Sequence, residues 1–133
     1  MAKEKIPEEI PEKEIEEAKS LVWLSYLGIL FLIPLLAQKE NRFSKFHAKQ
    51  GMVLFFYEVA WFIIVFILLA IMASLVFATR GALTVCLPFI WLVAIAGWIF
   101  FVVISIIGII QSVQGKLWKC PVGVAALAEK FRF

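Results

Sequence analysis

The chain has 133 residues, of which 63% are hydrophobic and 17% charged, and its formal net charge at neutral pH is +3. A soluble domain is typically about half apolar, so this composition argues against an ordinary water-soluble globular domain. The cations lie beside apolar runs and form no separate basic patch, so we expect no nucleic acid partner.

The first nineteen residues form a charged segment with seven Glu and four Lys. A secretory leader would need an apolar stretch in this place. We therefore expect residues 1–19 to be a solvated extension and residues 20–133 to form a single membrane domain.

Three apolar runs predict an all-α integral membrane protein with transmembrane helices at about 20–37, 52–78 and 83–110. Runs of about 18 or more apolar residues with almost no charge are typical of membrane spans. The first span is short and has Pro34 near its end. The other two would each be about 40 Å long, and residues 79–82 are few enough to join them as a tight antiparallel hairpin.

Two polar segments are predicted to lie at the membrane surface. Residues 38–50 are expected to form an interfacial loop, and residues 111–133 an interfacial tail with an amphipathic helix near its end. The cations of these segments are predicted to contact lipid headgroups; they are Lys39, Arg42, Lys45, Lys49, Lys116 and Lys119.

The distribution of cations also predicts the orientation. Loop 38–50 and the tail together carry eight Lys and Arg residues, against five in the N-terminal segment and the hairpin turn. The positive-inside rule then places loop 38–50 and the C-terminus in the cytoplasm and the N-terminus outside, in a multi-pass protein of the cell membrane.

Glu58 is the most unusual residue, because a carboxylate inside a span is costly and generally faces protein or water. On a helix, His47, Gln50, Gly51 and Glu58 share one face. We predict a polar seam of these four residues, running from the membrane surface into the span. Two interpretations remain open: a pathway for protons or a substrate, and a hydrogen-bond network that fixes helix packing.

Small residues recur along the third predicted span, at Gly97, Ser105, Gly108 and Ser112. Such residues let helices approach closely, either within the chain or between copies in a homo-oligomer or larger membrane complex. His47 is the single histidine, and no ligands stand at suitable spacing beside it, so no metal and no cofactor are expected. No nucleophile and base pair is visible, so the chain is not predicted to be an enzyme.

The stretch from Arg42 to Gly51, with its core Phe46-His47-Ala48-Lys49-Gln50-Gly51, resembles the signature of a family of small prokaryotic membrane proteins. That family is similar to the membrane subunit of the Tic protein import translocon of chloroplasts. Tyr26-Leu27-Gly28 and the segment 115–121 also fit the resemblance. It implies a compact helical bundle and an accessory or scaffold role linked to protein translocation. The alternative is a small oligomeric transporter or channel that uses Glu58 and the seam.

Overall fold

The computed structural model describes residues 10–116 and residue 130, and all regular structure in this part of the chain is helical. Its α-helices are α1 (Glu12–Ala18), α2 (Leu32–Ala37), α3 (Arg42–Ala78) and α4 (Leu87–Val113). Short 3₁₀ helices lie at Val22–Tyr26, Gly28–Phe31 and Thr84–Cys86. The prediction of an all-α protein with two long apolar helices is confirmed.

The chain divides into two compact units. The polar unit comprises the described residues 10–55 and 103–116, and the hairpin unit comprises Phe56–Val102. Helices α3 and α4 contribute residues to both units.

Helix α3 begins ten residues before the predicted start of the second span, at Arg42 and not at 52. The backbone N–H of Ser44 donates to Asn41 Oδ1 over 3.0 Å, and the N–H of Lys45 donates to the Asn41 carbonyl. This is the bonding of an N-cap residue. The prediction of an interfacial loop at 38–50 is therefore wrong for residues 42–50. These residues form the first turns of α3 and pack within the polar unit.

Asn41→Ala should lower the free energy of unfolding by about 1 kcal/mol, because the first turn of α3 loses its side-chain cap. The variant also loses the bond from Asn41 Nδ2 to the carbonyl of Glu14, which is 2.7 Å long. Asn41→Asp keeps the capping oxygen and is the matched control. Chemical denaturation in detergent micelles measures both variants, and equal stability of Asn41→Ala and the wild-type chain would contradict the capping role.

The first predicted span, 20–37, is not confirmed as a transmembrane helix. This segment consists of two 3₁₀ helices and the six-residue α2, and Gly28, the first residue of the second 3₁₀ helix, has a left-handed conformation at φ +60°. A residue at such a φ interrupts a right-handed helix. Hydropathy alone cannot detect this break, because the residues around Gly28 are apolar.

The seven-residue α1 packs into the polar unit. Pro11 precedes it, and Glu12 and Glu14 lie in its first turn, where they complement the helix dipole. Ala18 is fully buried, and a cluster of Ile10, Ala18, Val22 and Phe43 forms the apolar core there, with Ile15 against it.

Two helical stretches are long and apolar enough to cross a membrane, Arg42–Ala78 and Thr84–Val113. In the hairpin unit most of their large apolar side chains face outward; Phe66 is 75% and Phe77 is 88% exposed. The N–H groups of Arg80 and Gly81 bond the carbonyls of Phe77 and Val76, a Schellman motif that ends α3. The predicted tight turn between the two long helices is therefore present.

Packing within the hairpin unit brings Gly97 of α4 against Trp61 of α3. A Cβ at position 97 would overlap the indole ring, so α3 and α4 meet there at close range. Lys119 and the predicted amphipathic helix of the tail fall outside the described residues.

Candidate functional site

The most organised polar site is built around His47, which is fully buried in the polar unit. Its Nδ1 lies 2.7 Å from the hydroxyl oxygen of Tyr26, and its Nε2 lies 2.9 Å from the carbonyl oxygen of Lys116. The rings of Phe43 and Phe46 pack edge-on against the imidazole, with centroids 4.7 and 5.1 Å away. One side chain thus joins three segments of the chain.

The chemistry of the partners fixes the hydrogen-bond directions at the imidazole. A carbonyl oxygen only accepts, so Nε2 carries a proton and donates to Lys116. In a neutral imidazole Nδ1 is then the acceptor, and the Tyr26 hydroxyl donates to it. Both ring nitrogens are satisfied by the chain itself, which is the arrangement of a structural histidine.

The Lys116 carbonyl is presented by a tight turn at the end of α4. The N–H groups of Gly115 and Lys116 bond the carbonyls of Ser112 and Gln111, and Gly115 has a φ of +79°. This is a Schellman motif with glycine at its left-handed position, where side chains are disfavoured. The turn ends α4 and aims the next carbonyl at His47.

Two further glycines allow the elements around His47 to approach each other. A Cβ at Gly51 would overlap the backbone carbonyl of Ser25, and a Cβ at Gly108 would lie 2.6 Å from the ring of Tyr26. Real Cβ atoms do not come so close to other atoms. The 3₁₀ helix that carries Ser25 and Tyr26 is therefore held between the start of α3 and the end of α4.

The polar unit also buries hydroxyl and amide side chains. Ser25, Ser44 and Ser112 are fully buried and Gln50 nearly so. The Ser112 hydroxyl donates to the carbonyl of Ile109 over 2.8 Å. The hydroxyl oxygens of Ser25 and Ser44 have no hydrogen-bond partner among the residues that the structure describes. Buried polar groups without a partner are destabilising. The burial of these two hydroxyl groups therefore lowers the free energy of unfolding of the polar unit.

Glu14 and Arg42 form the main ion pair at the edge of the polar unit. Arg42 Nη2 lies 3.0 Å from Glu14 Oε2, and the backbone N–H of Arg42 donates to Glu14 Oε1 over 3.1 Å. Hydrogen bonds from the Arg42 side chain and backbone lower the pKa of the Glu14 carboxyl below its ordinary value. The pair therefore links α1 to the first turn of α3 in a pH-dependent way.

The sign of this pH dependence follows from the lowered pKa. A carboxyl with a lowered folded-state pKa adds stability above its unfolded pKa, about 4.3 for Glu, and loses it as pH falls through the folded value. We expect the melting temperature of Glu14→Gln to be below that of the wild-type chain at pH 7 and to approach it as the pH falls through the lowered folded-state pKa of Glu14.

Glu16→Gln is the matched control for that experiment, because Glu16 pairs with Lys19 on the exposed side of the same segment. Its melting curve in detergent should follow the wild-type chain across the pH range. A constant gap between wild type and Glu14→Gln from pH 7 to pH 3 would contradict the assigned link.

The residues of the predicted polar seam fall in both units. His47, Gln50 and Gly51 are buried in the polar unit, and Glu58 is half-buried in the hairpin unit. No hydrogen bond or ion pair joins the Glu58 carboxylate to another residue of the described part. A function for the four-residue seam stays a prediction.

The predicted small-residue positions lie at differing depths. Gly108 and Ser112 are buried in the polar unit, Gly97 is against Trp61 in the hairpin unit, and Ser105 is half-buried. Gly97 and Gly108 therefore pack against other residues of the same chain, although the sequence alone was equally consistent with contacts between copies. Whether copies associate stays a prediction.

Among the predicted headgroup ligands, Lys39 and Lys116 are exposed, Lys45 and Lys49 are half-buried, and Arg42 binds Glu14. Sequence analysis assigned Tyr26 no role in the seam, although its side chain is only 2% exposed and bonds His47. It also missed the role of Asn41. No local signal could reveal the contact of Tyr26 with a residue 21 positions away.

No three side chains from His, Cys, Asp and Glu stand together as candidate metal ligands in the part of the chain that the structure describes. The two long apolar helices, with their outward-facing aliphatic and aromatic side chains, define a helical membrane protein in contact with the lipid bilayer.

Residues 17–127 match the family described as the magnetosome magnetite crystal formation protein family, MamF_MmsF. Because this match covers most of the sequence, the chain belongs to that family.

Individual relatives agree with this assignment. The chain is 33% identical over 104 residues to the magnetosome protein MmsF of Paramagnetospirillum magneticum. The aligned region covers 74% of each of the two chains. It is 53% identical over 36 residues to magnetosome protein MamF of the same organism, covering 27% of this chain and 32% of the relative. MamF of Magnetospirillum gryphiswaldense is 49% identical over 35 residues, again about a third of its length. No solved structure matches the chain significantly.

The family assignment overturns two expectations. The resemblance to the Tic translocon family is wrong, and so is the accessory role in protein translocation that it implied. The transporter or channel alternative gains no better support. Two residues of the stretch that suggested the resemblance, His47 and Gly51, make close packing contacts in the polar unit. A shared packing motif does not carry function.

Proposed function

We propose that the chain is an integral protein of the magnetosome membrane that takes part in magnetite crystal formation without catalysing a reaction itself. The observation that carries the proposal is the family match over residues 17–127. Two apolar helices with outward-facing side chains support insertion into a membrane. The self-satisfied bonding of His47 supports a structural role for the polar unit rather than a catalytic one.

In this proposal the hairpin unit anchors the chain in the lipid, and the polar unit has a structural role. Association with further copies or with other magnetosome proteins is part of the proposal, because the long apolar surface suits contacts within the membrane. Assembly is not needed for the anchoring itself.

The test is complementation in a magnetosome-forming bacterium whose own MmsF relative has been deleted. A tagged copy of this chain should purify with isolated magnetosomes and restore the number and size of magnetite crystals seen by electron microscopy. Gly51→Ala, which disrupts the polar unit, should fail to restore them, whereas the matched variant Gly28→Ala should succeed. Recovery of the wild-type chain in the cell membrane alone, with crystals unchanged, would refute the proposal.

A further inference from the structure

The residues on either side of the apolar segment 21–37 are hydrogen-bonded to each other within the polar unit. Before the segment, the carbonyls of Glu14 and Glu17 in α1 accept hydrogen bonds from Asn41 and Gln38, over 2.7 and 2.9 Å. The Glu14 carboxylate also binds Arg42. The residues that precede the segment therefore touch the residues that follow it.

The end of α4 joins the same cluster. A Cβ added at Gly115 would lie 3.0 Å from Ile15 Cγ2 and 3.4 Å from Lys19 Cε, so α1 lies directly against the turn that closes α4. The start of α3 reaches that turn through the bond from His47 to Lys116. Three segments, at 10–19, 38–50 and 111–116, thus meet at one place.

A transmembrane helix over 20–37 is incompatible with this meeting. A span would put α1 and Arg42 on opposite sides of an apolar slab about 30 Å thick, whereas a hydrogen bond joins atoms about 3 Å apart. Crossing the slab and returning would take about 40 helical residues. Segment 21–37 has seventeen and is broken at Gly28.

The same segment nevertheless exposes a large apolar surface. Among its outward side chains Leu36 is 68% and Ile29 is 58% exposed. The others that are substantially exposed are Trp23, Leu27, Leu30, Leu32 and Ile33. Apolar side chains on a tethered segment next to two membrane-crossing helices suit insertion into lipid to a shallow depth, with Trp23 at the interface.

We propose that residues 21–37 bind the lipid leaflet on the side of the polar unit without crossing the membrane, and that the chain crosses it twice only. The N-terminal segment and the end of α4 are then on one side, and the hairpin turn at 79–82 is on the other. This inference needs membrane insertion but not a role in crystal formation.

The charge distribution agrees with two crossings. With the N-terminal segment moved to the side of 38–50, that side carries twelve Lys and Arg residues of the full sequence, and the hairpin turn carries Arg80 alone. This bias is far stronger than the eight against five of a three-span chain and puts residues 10–19, 38–50 and the end of α4 on the cytoplasmic side.

Cysteine labelling tests the number of crossings. Single cysteines replace Glu16, Glu40 or Ala82 in the full chain with Cys86→Ser and Cys120→Ser, and a membrane-impermeant maleimide is applied to sealed membrane vesicles of known orientation. We expect Glu16→Cys and Glu40→Cys to react from one side and Ala82→Cys from the other. Labelling of Glu16→Cys and Glu40→Cys from opposite sides would overturn the proposal, as would labelling of all three from one side. Reaction of each cysteine in detergent shows that it is chemically competent.

The depth of the segment is tested separately with a nitroxide spin label at Ile29→Cys in phosphatidylcholine vesicles. Labels at Phe66→Cys and Glu16→Cys are the matched references for lipid and water. We expect the Ile29 label to collide more with oxygen than with a water-soluble nickel complex, as the Phe66 label does. Preference for the nickel complex, as at Glu16, would overturn lipid binding by the segment.

Discussion

Gly51→Ala is expected to destabilise the polar unit by about 3 kcal/mol, the upper end of the range for overpacked cores. The added Cβ would overlap the backbone carbonyl of Ser25. A side chain could rotate away from such a contact, but a carbonyl can move only with its whole segment. The 3₁₀ helix Val22–Tyr26 would therefore be pushed from α3, and the contact between Tyr26 and His47 would be strained or lost.

The measurement is thermal unfolding in detergent, combined with hydrogen exchange of the backbone amides of residues 42–54. Gly28→Ala is the control, because a Cβ at position 28 has no atom within 4 Å. It carries only the cost of a left-handed alanine, about 1 kcal/mol. Equal melting temperatures of Gly51→Ala and the wild-type chain would refute the close approach of α3 to Ser25.

His47→Ala should have an effect of similar size, about 3–5 kcal/mol, for two reasons. It leaves a cavity beside the rings of Phe43 and Phe46, and it removes the hydrogen bonds of the imidazole to the buried Tyr26 hydroxyl and to the Lys116 carbonyl. Loss of a buried hydrogen-bond partner costs up to about 3 kcal/mol. Tyr26→Phe, which removes one hydrogen bond and keeps the ring, should cost about 1–3 kcal/mol.

A double-mutant cycle on Tyr26→Phe and His47→Ala isolates the hydrogen bond from the packing. Directly bonded residues are expected to show a coupling of about 0.5–3 kcal/mol, whereas distant residues add independently. Phe66→Ala is the control for loss of a large side chain at an exposed site of the hairpin unit. Strict additivity of the Tyr26 and His47 variants would show that the bond contributes nothing to stability.

The hairpin was predictable because it depends on local properties. Long apolar runs and a four-residue connection can be recognised along the sequence, and they predict both long helices and the turn between them. The predicted start of α3 was less accurate. Its first turns carry the polar residues His47, Lys49 and Gln50, which lie before the apolar run although they belong to the same helix.

The polar unit was not predictable in the same way because its contacts are distant in sequence. Tyr26 meets His47 across 21 positions, and His47 meets Lys116 across 69. No periodicity relates such pairs. The segment 20–37 was predicted to be a span because hydropathy carries no information on backbone conformation. The helix break at Gly28 is visible only in its backbone dihedral angle.

The polar unit is assembled from two stretches of chain that are separated by the whole hairpin unit, and this imposes an order on biosynthesis. Residues 10–55 are made first, but His47 and Tyr26 lack their neighbours in 103–116 until α4 has been synthesised. Only a chain that has passed through both apolar helices can close the Gly115 turn onto the imidazole. Native packing of the polar unit would thus report that both apolar helices have been synthesised, and a nascent chain stopped before residue 103 would lack the neighbours that cover Tyr26 and His47.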